Sequence, residues 1–238
     1  MAPGRQRAVP PVRARLPRSP LYYTSGGLGS AGDWWGNGDF DDTYLRNGRP
    51  EKQRGYSTDI WFREGIRFIE EDRSRPFFLY LAPNAPHDPF IVEDRYAAPY
   101  RKPGVPESRA NFYGMIANIG ENIARLRAQL EKLGLAENTI LAFMTDNGAT
   151  GGFDPRAAGD ARGYNAGMRG KKMQIYDGGH RVPLFLHWPA GGMRSGKDVK
   201  RLAAHFPPNA PTSCNTCSLP STASSRRTIR ARWSTPAS

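Results

Sequence analysis

The chain has 238 residues, 38% of them hydrophobic and 11% aromatic, which is enough to bury a core and too apolar for a chain that stays unfolded throughout. Its formal net charge of +12 invites a nucleic-acid partner, but five arginines without an acid lie in residues 1–20 and four more in residues 205–238, leaving +3 for everything between. That distribution speaks against nucleic acid as the partner of the folded part, and no apolar run approaches the length of a membrane-spanning helix.

Residues 1–20, "MAPGRQRAVPPVRARLPRSP", hold no apolar stretch longer than three residues, so no secretory signal is visible, and their prolines spoil the amphipathic helix of a transit peptide. Residues 205–238 are similarly rich in Pro, Ser, Thr and Arg. Both segments lack any helical or strand period and are expected to be disordered flanks. Cys214 and Cys217 lie in the second flank. Without further ligands or a strand-to-helix turn around it, their C-x-x-C reads as coincidence rather than as a zinc or redox site.

From Leu21 the composition changes. "SGGLGSAGDWWGNGDFDDTYLRNGRP" sets aromatic residues among turn formers, as an ordered loop or a pair of short strands would. "YSTDIWFREGIRFIEEDR" predicts a helix, with Ser57 or Thr58 as cap, Asp59 suited to the positive first turn, and Phe62, Ile66 and Ile69 on one stripe. "PFFLYLA", residues 76–82, reads as a strand buried on both faces. A long proline-rich loop follows, of the kind that carries function. The strongest helix spans about 109–133, where Phe112, Ile116, Ile119, Ile123, Leu126, Leu130 and Leu133 recur at alternating spacings of four and three, and Gly134 ends it. "TILAFMT" (139–145) and "VPLFLHW" (182–188) are two further apolar strands.

Strand, helix, strand predicts an α/β architecture with a parallel pair and a right-handed crossover. In open α/β sheets ligands bind beyond the carboxyl ends of the strands. Asp146-Asn147 ends one strand and His87 follows the other, so both would lie at the same end.

Asp146-Asn147-Gly148 is by itself either a turn, since all three residue types tolerate left-handed backbone, or a pair of oxygen ligands for a hard cation such as Ca²⁺ or Mg²⁺. His87, between Pro86 and Pro89, is either an incidental loop histidine or a held imidazole able to bind an anion or protonate a leaving oxygen. In "GYNAGMRGKKMQIYDGGHRVP", Arg169, Lys171, Lys172, His180 and Arg181 stand among five glycines. That is either a solvated basic loop or a site for a phosphate or sulfate ester, without the spacing of a P-loop.

Taken together, "PFFLYLAPNAPHDPF", "GLAENTILAFMTDNGATGG" and "MRGKKMQIYDGGHRVPLFLHWPAG", in this order, resemble the sulfatase family of arylsulfatase type over roughly residues 21–204. "DWWGNGDFDDTYLRNG" resembles the segment that precedes them in bacterial members. The resemblance implies an alkaline-phosphatase-like fold, a large, largely parallel or mixed sheet between helices. It also implies a Ca²⁺ orienting a formylglycine nucleophile made from Cys or Ser, and hydrolysis of sulfate esters of small molecules or polysaccharides. By residue, it implies Asp146 and Asn147 in the metal shell, His87 on the sulfate near the leaving oxygen, and Lys172 rather than Lys171 as the sulfate's lysine. Family members are often exported.

The sequence also departs from the family. Neither the two aspartates that end the family's first strand nor C-x-P-S-R or S-x-P-x-R is recognisable. Asp41-Asp42 follows "GNGDF" rather than a buried strand, and Ser218-Leu219-Pro220-Ser221 has Thr222 in place of the arginine. The expectation is therefore a middle-to-late part of a catalytic domain, truncated or frameshifted at its ends, inactive alone and binding Ca²⁺ weakly. A phosphonate or phosphate ester hydrolase on the same fold is the alternative within enzymes, and a basic binding protein the alternative outside them.

Overall fold

The computed structural model describes residues 36–46 and 49–193; the flanks 1–20 and 205–238, with their cysteines and Ser218–Ser221, lie outside the described residues. Within the described part of the aromatic stretch two short strands form a hairpin, as one of its two readings allowed. β1 (Thr43–Arg46) pairs antiparallel with β2 (Arg49–Lys52) in the register Thr43↔Lys52 to Arg46↔Arg49. Asp42, buried before β1, accepts hydrogen bonds from the Gly38 and Asp39 amides at 2.8 and 2.9 Å and from the Tyr44 hydroxyl at 3.0 Å. Asp41 accepts from the Gly55 amide at 2.8 Å. These two carboxylates are thus engaged in building the loop.

α1 (Ser57–Glu71) follows. Its N-cap is Tyr56, not Ser57 or Thr58, because those two are already inside the first turn and buried. Burial pushes the Tyr56 phenol up. The hairpin is held to α1 by Tyr44 against Trp61, centroids 4.6 Å apart, and by Arg46 reaching the buried Glu64 carboxylate at 2.7 Å.

α2 (Asp94–Ala97) interrupts the loop that its prolines marked as irregular. It fits against α3 (Glu107–Lys132) at Gly114, where a Cβ would come within 2.9 Å of the Ala97 nitrogen. The predicted α3 stripe is buried at Phe112, Ile119, Leu126 and Leu130, whereas Ile116 is exposed and Met115 points inward instead. Gly134 closes the helix at φ +69°, as expected of a residue just past a C-cap. α1 and α3 are joined by a polar lock: Asp59 accepts from the amides of buried Asn118 and Asn122 at 2.8 and 2.6 Å. Around it Phe62, Ile69, Leu126 and Leu130 form the main core.

The strands depart from expectation. β3 (Leu141–Met144) pairs with β4 (Leu184–His187), antiparallel, in the register Leu141↔His187 to Met144↔Leu184. Residues 76–82 form no ladder among the described residues, so the expected parallel pair is not observed. Nor is that segment buried on both faces. Phe77, Leu79 and Leu81 pack on the α1–α3 core, closely enough that a Cβ on Gly65 would meet Leu81 at 3.1 Å, while Phe78 and Tyr80 are 67% and 79% exposed. A strand needs a partner to satisfy its backbone, and an apolar run specifies only the faces. The β3–β4 pair is bare in the same way: Met144 and its partner Leu184 are both exposed. No helix of the described residues is long and apolar enough to cross a membrane. α4 (Asp177–His180) is a single turn before β4.

Candidate active site

Three loops meet at one cleft of about 370 Å³, lined by Asp88 and Phe90, by Thr150 and Gly151, and by Lys171, Lys172 and Met173. They come from the three blocks that carried chemistry in the sequence.

Glycines set how closely these loops approach. The Gly148 amide donates to Gly179 O at 2.9 Å and the Lys172 amide to Ala149 O at 2.9 Å, stitching the segment after β3 to the basic loop. A Cβ on Gly148 would lie 1.9 Å from Gly178 O, and one on Gly179 2.0 Å from Gln174 O, so both contacts exclude any side chain. Gly151 sits under the Phe90 ring, where a Cβ would be 2.4 Å away. Phe90 in turn meets Phe112 edge-on at 5.6 Å. The cleft floor is therefore pinned to α3.

α3 also grips the loop beyond the cleft. Buried Arg109 donates from Nε to Gly151 O at 3.3 Å and from Nη1 to Ala161 O, and the Tyr113 hydroxyl donates to Gly152 O at 3.1 Å. Buried Asn165 donates to Gly170 O at 2.6 Å. Sequence reasoning missed these supports. Arg109 could have been found, because it stands three residues before Phe112 on the buried stripe of α3, where an arginine has to reach polar groups.

Of the four residues singled out, Lys172 lines the cleft and His87 adjoins it through Asp88. His87 is half exposed, its amide donates to Asn84 O at 2.9 Å, and its Nδ1 lies 2.8 Å from Asp88 O and 3.0 Å from Asp88 Oδ1. With two acceptors facing Nδ1, that nitrogen carries the hydrogen and Nε2 is left for another partner. Lys172 is half-buried, with no ion pair to its ammonium among the described residues. Of the other cations, Arg169 lies over the Tyr176 ring at 3.6 Å and donates to its hydroxyl at 2.6 Å, and Arg181 faces Asp177 at 3.7 Å. Those arginines are engaged elsewhere, which leaves Lys171 and Lys172 as the cations of the cleft among the described residues.

Asp146 is exposed and Asn147 half-buried at the end of β3, outside the cleft lining. Among the described residues no three His, Cys, Asp or Glu side chains converge as a metal site. Asp146 and Asn147 fit a hard cation in donor type but supply only part of the roughly six to eight oxygens that Ca²⁺ takes.

The family model described as Sulfatase matches residues 17–206. Among curated proteins, the chain is 30% identical over 155 residues to the uncharacterized sulfatase YdeN of Escherichia coli (63% of this chain, 26% of that protein). It is 33% identical over 149 residues to human N-acetylgalactosamine-6-sulfatase (62% and 26%). It is 27% identical over 166 residues to the arylsulfatase of Hemicentrotus pulcherrimus (63% and 28%). Among solved structures it resembles Ps i-CgsB, with a TM-score of 0.54 at 32% identity over 62% of this chain and 31% of that one. The same protein in complex with k-i-k-neocarrahexaose gives 0.53 at 30% identity over the same shares. The chain thus spans about a quarter of the length of the curated relatives it matches; its structural neighbours are sulfatases with the alkaline-phosphatase-like fold, and the chain itself is a mixture of helix and strand.

Proposed function

This chain belongs to the sulfatase family, and from that premise we propose that the domain to which it contributes hydrolyses sulfate esters, with sulfate held at Lys172 and the leaving oxygen served by His87. The observation that carries this reading is the convergence of three chemically distinctive loops on one cleft whose half-buried lysine has no ion-pair partner among the described residues. In the complete domain, residues 76–82 and the β3–β4 pair would belong to a larger mixed sheet.

The chain's own groups divide the work. The Lys172 ammonium neutralises charge on the sulfuryl oxygens. His87, oriented by Asp88 through Nδ1, presents Nε2 to the ester oxygen and, as the imidazolium with a hydrogen on each ring nitrogen, supplies the proton that the departing alcohol needs. A divalent cation bound by Asp146 and Asn147 together with further oxygen ligands would offset charge on the same ester. The family's formylglycine corresponds to no residue recognised in this sequence, so the roles assigned are those of groups the chain supplies. The substrate class that relatives' names support is a sulfated saccharide or aryl ester.

Turnover of an aryl sulfate against the matching aryl phosphate, by this chain supplied in trans with the family's formylglycine-bearing segment, tests the proposal. Preferential sulfate release is expected. Preference for phosphate, or inactivity of a demonstrably folded assembly, rejects it.

The metal shell has its own test. Two ligand side chains predict Ca²⁺ binding to the isolated chain no tighter than the millimolar range. Ca²⁺ at a concentration equal to Kd then stabilises by only about 0.4 kcal/mol. Micromolar binding in a calorimetric titration, abolished by Asp146→Ala, would mean that the chain holds ligands beyond these two.

A further inference from the structure

One residue of the cleft stands in a conformation that its type disfavours. Lys171 to Gln174 form a turn closed by the Gln174 amide on Lys171 O at 3.0 Å, and Met173 occupies the third position at φ +72°. Such a position favours glycine or asparagine, and a side chain there is held at some cost. The turn cannot relax freely. The Lys171 amide donates to the Gln174 side chain at 3.1 Å, and the Lys172 amide to Ala149 O at 2.9 Å. Met173 is also 94% exposed, so packing within the described residues does not compensate for its backbone.

Within the cleft Met173 and Phe90 are the two large apolar side chains, set beside Lys171 and Lys172. Phe90 is fixed by Gly151 and Phe112, whereas the thioether projects from a pinned turn. A flexible sulfur-bearing chain and an aromatic ring together make an apolar wall that suits the face of a flat or chair-shaped ring. A small aliphatic alcohol would leave that wall wet.

We propose that Met173, with Phe90, determines specificity for the leaving alcohol, selecting sulfate esters whose alcohol carries a ring with an apolar face, aryl or saccharide. This rests on the reading of Lys172 as the sulfate's lysine. The strained turn is then kept because it aims Met173 at the alcohol side of the cleft.

The test is an NMR titration of the full chain with methyl sulfate, phenyl sulfate and N-acetylgalactosamine 6-sulfate, repeated on Met173→Gly and Lys172→Ala. At least one ring ester should bind about three- to tenfold tighter than methyl sulfate, on the scale of a sulfur or ring contact. In Met173→Gly that ratio should collapse towards one, with a melting temperature equal to or above the parent's because glycine accepts the positive φ. The ring that gives the preference names the source. A ratio of one in the parent, a preference that survives Met173→Gly, or a lower melting temperature in that variant overturns the inference while methyl sulfate binding still depends on Lys172. Failure of all three probes to bind, or binding indifferent to Lys172→Ala, removes the sulfate site itself and the inference with it.

Discussion

Lys172→Ala should lower the turnover of an aryl sulfate by the complemented domain about 10²–10³-fold, the scale on which removal of one group stabilising a developing anion is felt. The fold should not notice. What the chain uses of Lys172 structurally is its amide, bonded to Ala149 O, and alanine keeps that bond. The ammonium has no ion pair among the described residues, so its removal strands no buried acid. Lys171→Ala is the informative comparison, since both lysines line the cleft and only the family resemblance separates them. A loss of a few-fold is expected there. If Lys171→Ala instead gives the larger loss, the two assignments are to be exchanged; if neither variant slows turnover, the cleft is not where the sulfate sits.

Gly148→Ala should be among the most destabilising single methyls in the described structure. The added carbon would lie 1.9 Å from Gly178 O, 2.7 Å from Gly178 C and 2.9 Å from Gly179 C. Every obstacle is backbone, so no rotamer change relieves it, and the two loops must separate and lose the bond from the Gly148 amide to Gly179 O. A cost of about 2–4 kcal/mol follows, at and somewhat above the usual range for overpacking. For a domain of this size that corresponds to a drop of roughly 10 °C in melting temperature. Gly120→Ala, on the exposed side of α3 with nothing near its Cβ, is the control and should stabilise slightly. Equal melting of Gly148→Ala and its parent would mean that the two loops are not joined as described.

The helices were legible because their information is periodic and local. The alternating spacing from Phe112 to Leu133 marked α3, and Phe62 with Ile69 marked the inner face of α1. The strands were legible as extended apolar runs but not as partners. Nothing in "PFFLYLA" or "TILAFMT" states which neighbour completes the backbone hydrogen bonds, and the antiparallel match of β3 to β4 joins residues some forty positions apart. The same divide runs through the site. His87, Lys172 and the Asp146-Asn147 pair stood out by chemical type, and their loops do approach one another. Arg109 and Asn165 escaped notice, and Asp59 was read only as a first-turn acid, because their work is to satisfy carbonyls and amides that only the folded chain brings within reach.

The grip of Arg109 and Tyr113 on the cleft loop has a consequence in time. Both residues sit in the first two turns of α3, whose N-cap is Pro106 and carries no side-chain hydrogen bond. A helix start without a cap is where fraying begins, since its first amides lack intrahelical acceptors. Each opening of that end releases the carbonyls of Gly151, Gly152 and Ala161 together. Opening of that end would therefore loosen the wall of the cleft at three carbonyls at once, while the Asp154 and Tyr164 amides stay bonded within the loop to Arg162 O and Gly152 O.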